Sequence, residues 1–272
     1  MIYTLDKVTK QYRTSGGLVH ALNGITLDVQ EGECVALIGK SGVGKSTLFR
    51  LLNATQRPTS GLLKFGERDI GRMSGRELRE LWRSVGTVFQ QHHLVPSLSV
   101  LDNALCGNLG RWSLLQTLRS FVSPAKQDME DAMHVLETVG LVDRWRARAD
   151  ELSGGQQQRL AIARTLMQKP KVILADEPVA SLDPELADSI VKLLVNISTE
   201  RKHTLVISLH AVELARRYFP RVVALRRGEI AFDVRSGNLD REMLQEVFVD
   251  STPKPKERLK HHVHASRELH AC

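Results

Sequence analysis

The chain has 272 residues, of which 42% are hydrophobic and 25% charged, as in an ordinary globular protein of one large domain or two modest ones. Its formal net charge is +7, but five basic and two acidic residues in positions 251–272 supply +3 of it, so we expect no nucleic-acid partner. No apolar run approaches the ~20 residues needed to cross a bilayer, and the N-terminus lacks the pattern of a signal peptide. Cys34, Cys106 and Cys272 show no metal or disulfide spacing, which fits a reducing cytosol.

Short runs that alternate apolar and polar residues predict an antiparallel β-layer over residues 1–34. Tyr12 stands between two of these runs. Such a ring is ordinarily an edge aromatic of a sheet, but upstream of a nucleotide site it is also suited to stacking on adenine. The local sequence leaves both interpretations open.

A buried strand followed at once by a glycine-rich loop is predicted at residues 35–47, which read VALIGKSGVGKST. Gly39, Gly44, Lys45 and Ser46 have the spacing G-x-x-x-x-G-K-[ST] of a phosphate-binding P-loop. A chance match in a chain of this length has odds on the order of one in a hundred. The predicted nucleotide-binding residues here are Gly39, Lys40, Ser41, Gly42, Val43, Gly44, Lys45, Ser46 and Thr47.

The residue types of this loop suit a bound triphosphate. Glycines let the backbone N–H groups point at phosphate oxygens, and the helix that begins near Lys45 adds the positive end of its dipole. Lys45 supplies a point charge for the β- and γ-phosphates, and the Ser46 hydroxyl is an oxygen ligand suited to Mg²⁺. We expect Thr47 to donate a hydrogen bond to the α-phosphate.

Two further strands are predicted after the P-loop helix, which should run over residues 45–53. They lie at about residues 62–65 and 84–89, and we predict that they form a pair. The second strand delivers Gln90 at its end, where strands of such sheets face the ligand.

Between residues 91 and 150 the apolar residues recur at helical spacing. Helices are predicted over residues 102–118 and 125–140, with Pro96 and Pro124 as breaks. This helical insertion ends at residues 152–159, LSGGQQQR, where a pair of glycines opens a helix. Such a helix N-terminus is a second place suited to an anion.

Two later strands are followed by polar residues. The strand at residues 172–175 leads to Asp176 and Glu177, a pair that is usually only the start of a loop. Downstream of a P-loop, however, the aspartate is expected to reach Mg²⁺ through water, and the next carboxylate can polarise a water molecule. The strand at residues 204–208 leads to His210, and a single histidine is more often structural unless a motif places it at the phosphates.

The chain closes with a predicted hairpin over residues 222–232 and a polar tail. The composition of residues 251–272 predicts disorder. Binding of a metal by His261, His262 and His264 is the alternative.

With these motifs placed, about residues 1–248 resemble the ATP-binding cassette (ABC) ATPases. The marker is the signature run at residues 152–156, LSGGQ, which chance supplies far more rarely than a P-loop. The other matches follow in the family's order: Tyr12 at the adenine-stacking position, the P-loop, Gln90 in the Q-loop, Asp176 and Glu177 in Walker B, residues 181–183 in the D-loop and His210 at the switch position.

The resemblance implies an α/β fold of the P-loop NTPase class, a RecA-like core with an antiparallel β-layer and an α-helical subdomain inserted at about residues 91–152. The nucleotide-binding domain would span residues 1–250, followed by the basic, His-rich tail at 251–272. ATP and Mg²⁺ are the implied cofactors, in a homodimer where each ATP lies between one P-loop and the partner's signature. This adds to the predicted nucleotide-binding residues Tyr12, Ser153, Gly154, Gly155, Gln156 and Asp183.

Roles in hydrolysis follow from the same resemblance. Glu177 would accept a proton from the attacking water, and His210 would hydrogen-bond the γ-phosphate and sense its loss. The predicted catalytic residues are Lys45, Gln90, Glu177 and His210, and the predicted metal ligands are Ser46, Gln90 and, through water, Asp176.

A transporter ATPase is favoured over other ABC proteins. A tandem cassette of translation would need two P-loops, and a cassette acting on DNA would carry a coiled coil or zinc module that the short insertion lacks. The implied partners are an integral-membrane permease and a periplasmic substrate-binding protein, and the implied location is the cytoplasmic face of the inner membrane.

The transported solute is inferred from finer resemblance. Runs at residues 98–103, 107–111, 208–210 and 224–228 resemble phosphonate-import ATPases, with phosphite import a close relative. The alternative is the ATPase of a lipoprotein-release or macrolide-type exporter. We further predict that the segment at 94–112 helps line the groove that receives the permease, unless Trp112 belongs to the core of the helical lobe.

Overall fold

The computed structural model describes residues 1–113, 116, 117, 119 and 124–248, so the predicted tail and its histidines lie outside the described residues. The strands are β1 (Tyr3–Thr14), β2 (Gly17–Val29), β3 (Cys34–Ile38), β4 (Ser60–Phe65), β5 (Arg68–Asp69), β6 (Val85–Phe89), β7 (Val172–Asp176), β8 (Thr204–Leu209), β9 (Arg221–Arg226) and β10 (Glu229–Arg235). The α-helices are α1 (Lys45–Leu52), α2 (Gly75–Ser84), α3 (Val100–Leu105), α4 (Lys126–Thr138), α5 (Gly154–Met167), α6 (Pro184–Arg201), α7 (Val212–Tyr218) and α8 (Arg241–Phe248).

Within the described residues, the strands form two sheets. An antiparallel sheet of four strands has the order β2-β1-β4-β5, and a sheet of six strands has the order β10-β9-β3-β8-β7-β6. Neighbours from β9 to β6 run parallel, whereas β10 is antiparallel to β9. The predicted α/β class, the antiparallel β-layer and the closing hairpin are therefore confirmed.

The predicted pairing of residues 62–65 with 84–89 is wrong. β4 pairs with β1 in the antiparallel sheet, and β6 pairs with β7 in the parallel one. The reason is α2, which carries the chain from one sheet to the other and begins with a capping box of Ser74 and Glu77. That S-x-x-E pattern is a helix start signal, and it was missed in the sequence.

The helical lobe between β6 and α5 is built from α3 and α4, which pack on α5 around a shared apolar cluster. The first helix of this lobe differs from the one predicted over residues 102–118, because α3 begins at Val100 and ends at Leu105, where a 3₁₀ turn at Cys106–Asn108 follows. Gly107 in that turn is a weak helix former, and a Cβ there would lie 2.1 Å from the Arg164 carbonyl oxygen. Trp112 packs against the cluster, as expected for a core residue, while Arg111 is exposed.

The parallel strands are buried on both faces. In β3, Val35 and Leu37 contribute to the cluster shared with the four-stranded sheet and α1, while Ala36 and Ile38 contribute to the cluster of the helical lobe and α6. Continuous apolar runs of this kind are typical of parallel strands. Because these strands share one direction, the segments that follow β3, β6, β7 and β8 emerge at one edge of the sheet. Among the described residues, no helix is both long and apolar enough to cross a membrane.

Candidate functional site

The P-loop connects β3 to α1 and depends on glycine at two positions. A Cβ at Gly39 would lie 2.5 Å from the Leu225 carbonyl oxygen, and one at Gly44 would lie 2.5 Å from that of Ala21. Both glycines also have a positive φ, 149° and 114°, which other residues rarely adopt. Lys40, Ser41, Gly42 and Val43 form the loop between them, and Lys45, Ser46 and Thr47 form the first turn of α1.

Lys45 is held at the centre of this loop. Its side chain is only 3% exposed, and its ammonium donates hydrogen bonds to the carbonyl oxygens of Gly39 (2.8 Å) and Lys40 (3.1 Å). The same nitrogen lies 3.3 Å from Oε1 of Glu177. A buried lysine needs such partners, because desolvation disfavours an unpaired charge.

Glu177 follows β7 and places its carboxylate next to Lys45 of the P-loop. His210 Nε2 lies 2.7 Å from the Oε1 that also faces Lys45. Burial raises the pKa of the Glu177 carboxyl, but the hydrogen bond and charge of His210 and the charge of Lys45 outweigh burial, so the pKa is lowered overall. The carboxylate is therefore ionised at neutral pH, as a general base must be.

A buried serine, which sequence reasoning missed, joins the two acidic residues. Ser208 Oγ donates to Asp176 Oδ1 at 2.8 Å and accepts from the Glu177 N–H at 2.7 Å. A hydroxyl in the otherwise apolar run at residues 205–209 was the signal that could have identified it.

Four of the predicted site residues line one cavity of about 240 Å³: Ser46, Gln90, Asp176 and Glu177. Arg50 and His93 also line it. A hydroxyl, an amide oxygen and carboxylates are the hard oxygen donors that Mg²⁺ prefers, so the residues present fit this ion. Gln90 lies directly after β6, at the predicted strand end.

The segment after Gln90 is tied to α5 by Arg164. Its guanidinium donates to the carbonyl oxygens of His93 (2.6 Å) and His92 (2.8 Å). His93 has a φ of 49°, in the left-handed region, and its ring packs edge-on against Phe89. Arg164 was not predicted from the sequence, since nothing in an amphipathic helix identifies which arginine reaches back to a loop.

The signature forms the N-terminus of α5, as predicted. Ser153 is the N-cap, and its N–H donates to Gln156 Oε1 at 3.0 Å in a capping box. Ser153 and Gly154 are exposed, whereas Gly155 is buried so tightly that a Cβ there would lie 2.4 Å from the Leu186 side chain. None of the signature residues lines the cavity of Ser46 and Asp176.

The D-loop residue Asp183 caps α6. Its carboxylate accepts a hydrogen bond from the Leu186 N–H at 3.0 Å, and Pro184 occupies the first helical position. Because Leu186 also packs against Gly155, the start of α6 and the start of α5 are in direct contact.

Tyr12 lies in β1 and is half-buried. Its hydroxyl donates to Gln56 Oε1, and the ammonium of Lys10 lies 5.3 Å from its ring centroid. These contacts fix the ring within the β-layer, so its role toward a base stays a prediction.

A family model described as ABC transporter matches residues 22–180, more than half of the chain. The chain belongs to the ABC transporter family. Phosphonates import ATP-binding proteins of Wolinella succinogenes (40% identical, over 90% of this chain and 87% of that protein) and Frankia casuarinae (45%, over 91% and 96%) are among its relatives. A dimeric bacterial ABC transporter cassette has a similar structure, with a TM-score of 0.76 and 30% identity over 86% of this chain and 98% of that one.

As an ABC ATPase, the chain combines the P-loop NTPase fold with ATP hydrolysis. A solved state of the dimeric cassette, 31% identical with a TM-score of 0.73, is described as a post-hydrolysis state bound to ADP and Pi. In this ABC ATPase, Lys45 and His210 both lie next to the same oxygen of Glu177.

Proposed function

We propose that this chain is the ATP-hydrolysing subunit of an ABC importer whose solute is a phosphonate or phosphite. The observation that carries this proposal is the similarity to phosphonates import ATP-binding proteins, which is 40–45% and covers about nine-tenths of the chain. Similarity of that extent involves the helical lobe as well as the motifs that all ABC ATPases share. It favours import over the lipoprotein-release or macrolide-type export considered above.

Hydrolysis would use Glu177 and the two side chains that lie next to its Oε1, Lys45 and His210. Lys45 would bind the β- and γ-phosphate oxygens, since it is a buried cation at the centre of the P-loop. Glu177 would accept the proton of the attacking water, which requires the ionised carboxylate that its lowered pKa provides. His210 would donate to the γ-phosphate oxygens from its partly exposed position beside that carboxylate.

Mg²⁺ would be held by Ser46 and Gln90 directly and by Asp176 through water, at the cavity that these residues share. When bound there, it would neutralise charge that develops on the β- and γ-phosphate oxygens. Such a site supplies few protein ligands, as is usual for Mg²⁺ that also binds the phosphates of its substrate.

The active unit would be a head-to-tail homodimer. The exposed N-terminus of α5, with Ser153 as its cap, offers backbone N–H groups and a positive dipole end to an anion. In a dimer this end would complete the γ-phosphate site of the partner subunit. The similarity to a cassette solved as a dimer supports this arrangement.

The permease would dock in a groove of about 340 Å³ between α2, α5 and the turn after α3. Its lining includes Trp82, Arg83, Gly110 and Arg164, and Trp82 is 45% exposed. Exposed aromatic and guanidinium groups of this kind are enriched at protein interfaces.

The subunit would then lie peripherally at the cytoplasmic face of the inner membrane, and a periplasmic substrate-binding protein would deliver the solute.

Uptake measurements test the proposed solute. A strain that lacks this subunit should fail to accumulate labelled methylphosphonate or phosphite and should recover uptake with the wild-type chain but not with Glu177→Gln. Undiminished uptake of both compounds by the deletion strain would contradict the proposal.

A further inference from the structure

Ser208 is the polar residue of β8 that lies nearest to the site, and it is completely buried. A buried hydroxyl is unfavourable unless its hydrogen-bonding groups find partners. Here the hydroxyl makes two short bonds, one to Asp176 Oδ1 at 2.8 Å and one from the Glu177 N–H at 2.7 Å. The hydroxyl therefore joins β8 to both acidic residues at the end of β7.

The direction of the two bonds follows from chemistry. A backbone N–H can only donate, so the Ser208 oxygen accepts from Glu177, and an ionised carboxylate can only accept, so the Ser208 proton goes to Asp176. One hydroxyl thus satisfies two groups with opposite requirements. A valine or alanine at this position could satisfy neither.

The two bonds constrain different features of the site. The bond to Oδ1 restrains the carboxylate of Asp176, which lines the same cavity as Ser46 and Gln90. The bond from the Glu177 N–H holds a residue whose φ is 50°, in the left-handed region that residues other than glycine rarely adopt. That backbone conformation directs the Glu177 side chain to Lys45 and His210.

We propose that Ser208 is a positioning residue that sets the orientation of both Asp176 toward the metal and Glu177 toward the γ-phosphate. The proposal rests on the roles proposed above for these two carboxylates. It predicts that removal of the hydroxyl weakens metal binding and slows hydrolysis together, because one group supports both. Partners that orient the groups around a metal typically change its affinity by about 10–100-fold when they are mutated.

A matched pair of variants isolates the hydroxyl. Ser208→Thr and Ser208→Val add nearly the same volume to the same buried position, but only the threonine keeps the hydroxyl. Affinity for Mn²⁺ in the presence of ADP, followed by electron paramagnetic resonance, should be about tenfold or more weaker in the valine variant than in the threonine variant. The concentration of Mg²⁺ that gives half-maximal ATP hydrolysis should rise by a similar factor.

Thr204 provides a control in the same strand. It is also completely buried, and its hydroxyl accepts a hydrogen bond from the Gly32 N–H at 2.9 Å, at the end of β8 away from the site. Thr204→Val should lower the melting temperature without changing the affinity for Mn²⁺ and ADP. Ser208→Ala removes the same hydroxyl and adds no atoms. Its affinity for Mn²⁺ in the presence of ADP should fall below that of wild type by the same factor that separates the valine variant from the threonine variant.

Equal metal affinities in Ser208→Thr and Ser208→Val would overturn the proposal, whatever the stabilities of the two variants. Asp176→Asn, measured alongside, separates this failure from failure of the proposed metal site. If Asp176→Asn weakens Mn²⁺ binding and the Ser208 variants do not, only the role of Ser208 is wrong. If Asp176→Asn has no effect, the assignment of Asp176 is wrong and the role of Ser208 falls with it.

Discussion

At the scale of single residues, the Glu177 carboxylate links the P-loop to His210 through one oxygen. Its pKa is lowered, because the hydrogen bond and charge of His210 and the charge of Lys45 exceed the effect of burial. The stabilisation from this group is therefore fully present above about pH 4.5, its ordinary value, and is lost as the pH falls through the lower folded-state pKa.

This sign gives a testable pH dependence. The difference in free energy of unfolding between wild type and Glu177→Gln should shrink as the pH is lowered from about 5 toward 3, because protonation removes the charge that the glutamine already lacks. Urea unfolding at a series of pH values measures it. A difference that stays constant throughout this range would show that the contacts of the Glu177 carboxylate with His210 and Lys45 do not stabilise the fold.

Tyr12 gives a second prediction at this scale. If its ring stacks on adenine, Tyr12→Ala should weaken ATP binding by about 1–3 kcal/mol, the range for loss of one stacking aromatic. Tyr12→Phe is the matched control, since it keeps the ring and removes only the hydroxyl that bonds to Gln56. Unchanged affinity in Tyr12→Ala, measured by calorimetry, would mean that the ring only supports the β-layer.

At the scale of secondary-structure elements, Arg164 connects the helix that begins with the signature to the loop that follows Gln90. We expect Arg164→Met to lower the free energy of unfolding by about 1.5–3 kcal/mol, because two loop carbonyls lose a charged donor. It should also raise the Mg²⁺ concentration needed for half-maximal hydrolysis, because the loop that carries Gln90 is no longer held.

Arg159 on the same helix is the control for this prediction. It donates to the Val139 carbonyl oxygen at 3.0 Å and to Ser189 Oγ at 3.4 Å, and neither partner belongs to the loop after Gln90. Arg159→Met should therefore destabilise the fold and leave the Mg²⁺ dependence as in wild type. An equal rise in the half-maximal Mg²⁺ concentration in both variants would show that this rise reflects lost stability alone.

The elements also show what could be predicted from the sequence. The P-loop, the acidic pair after β7 and the glycine pair that opens α5 were predicted because local chemistry determines each of them. The pairing of β4 with β1 could not be predicted in the same way. It depends on α2, which carries the chain to the other sheet before β6, and on which apolar face each sheet must cover. Ser208 and Arg164 were missed for a related reason, since their partners are 31 or more residues away in the sequence.

At the scale of the whole molecule, one subunit contains both halves of the proposed site, and the signature residues do not line the P-loop cavity. The P-loop cavity is lined by Ser46, Gln90, Asp176 and Glu177, and the N-terminus of α5 is exposed elsewhere. Closure of two subunits around ATP would bring the halves together, and loss of the γ-phosphate charge on hydrolysis would release them.

The most direct test of this account is Glu177→Gln in the presence of ATP and Mg²⁺. The variant keeps the shape of the side chain and removes the proton acceptor, so hydrolysis should fall by roughly 10²-fold or more while ATP still binds through Lys45. Size-exclusion chromatography should then show an ATP-bound dimer, whereas Lys45→Ala should lose nucleotide and remain monomeric. Hydrolysis by Glu177→Gln at nearly the wild-type rate, or failure to dimerise with ATP, would contradict both the role of Glu177 and the shared site.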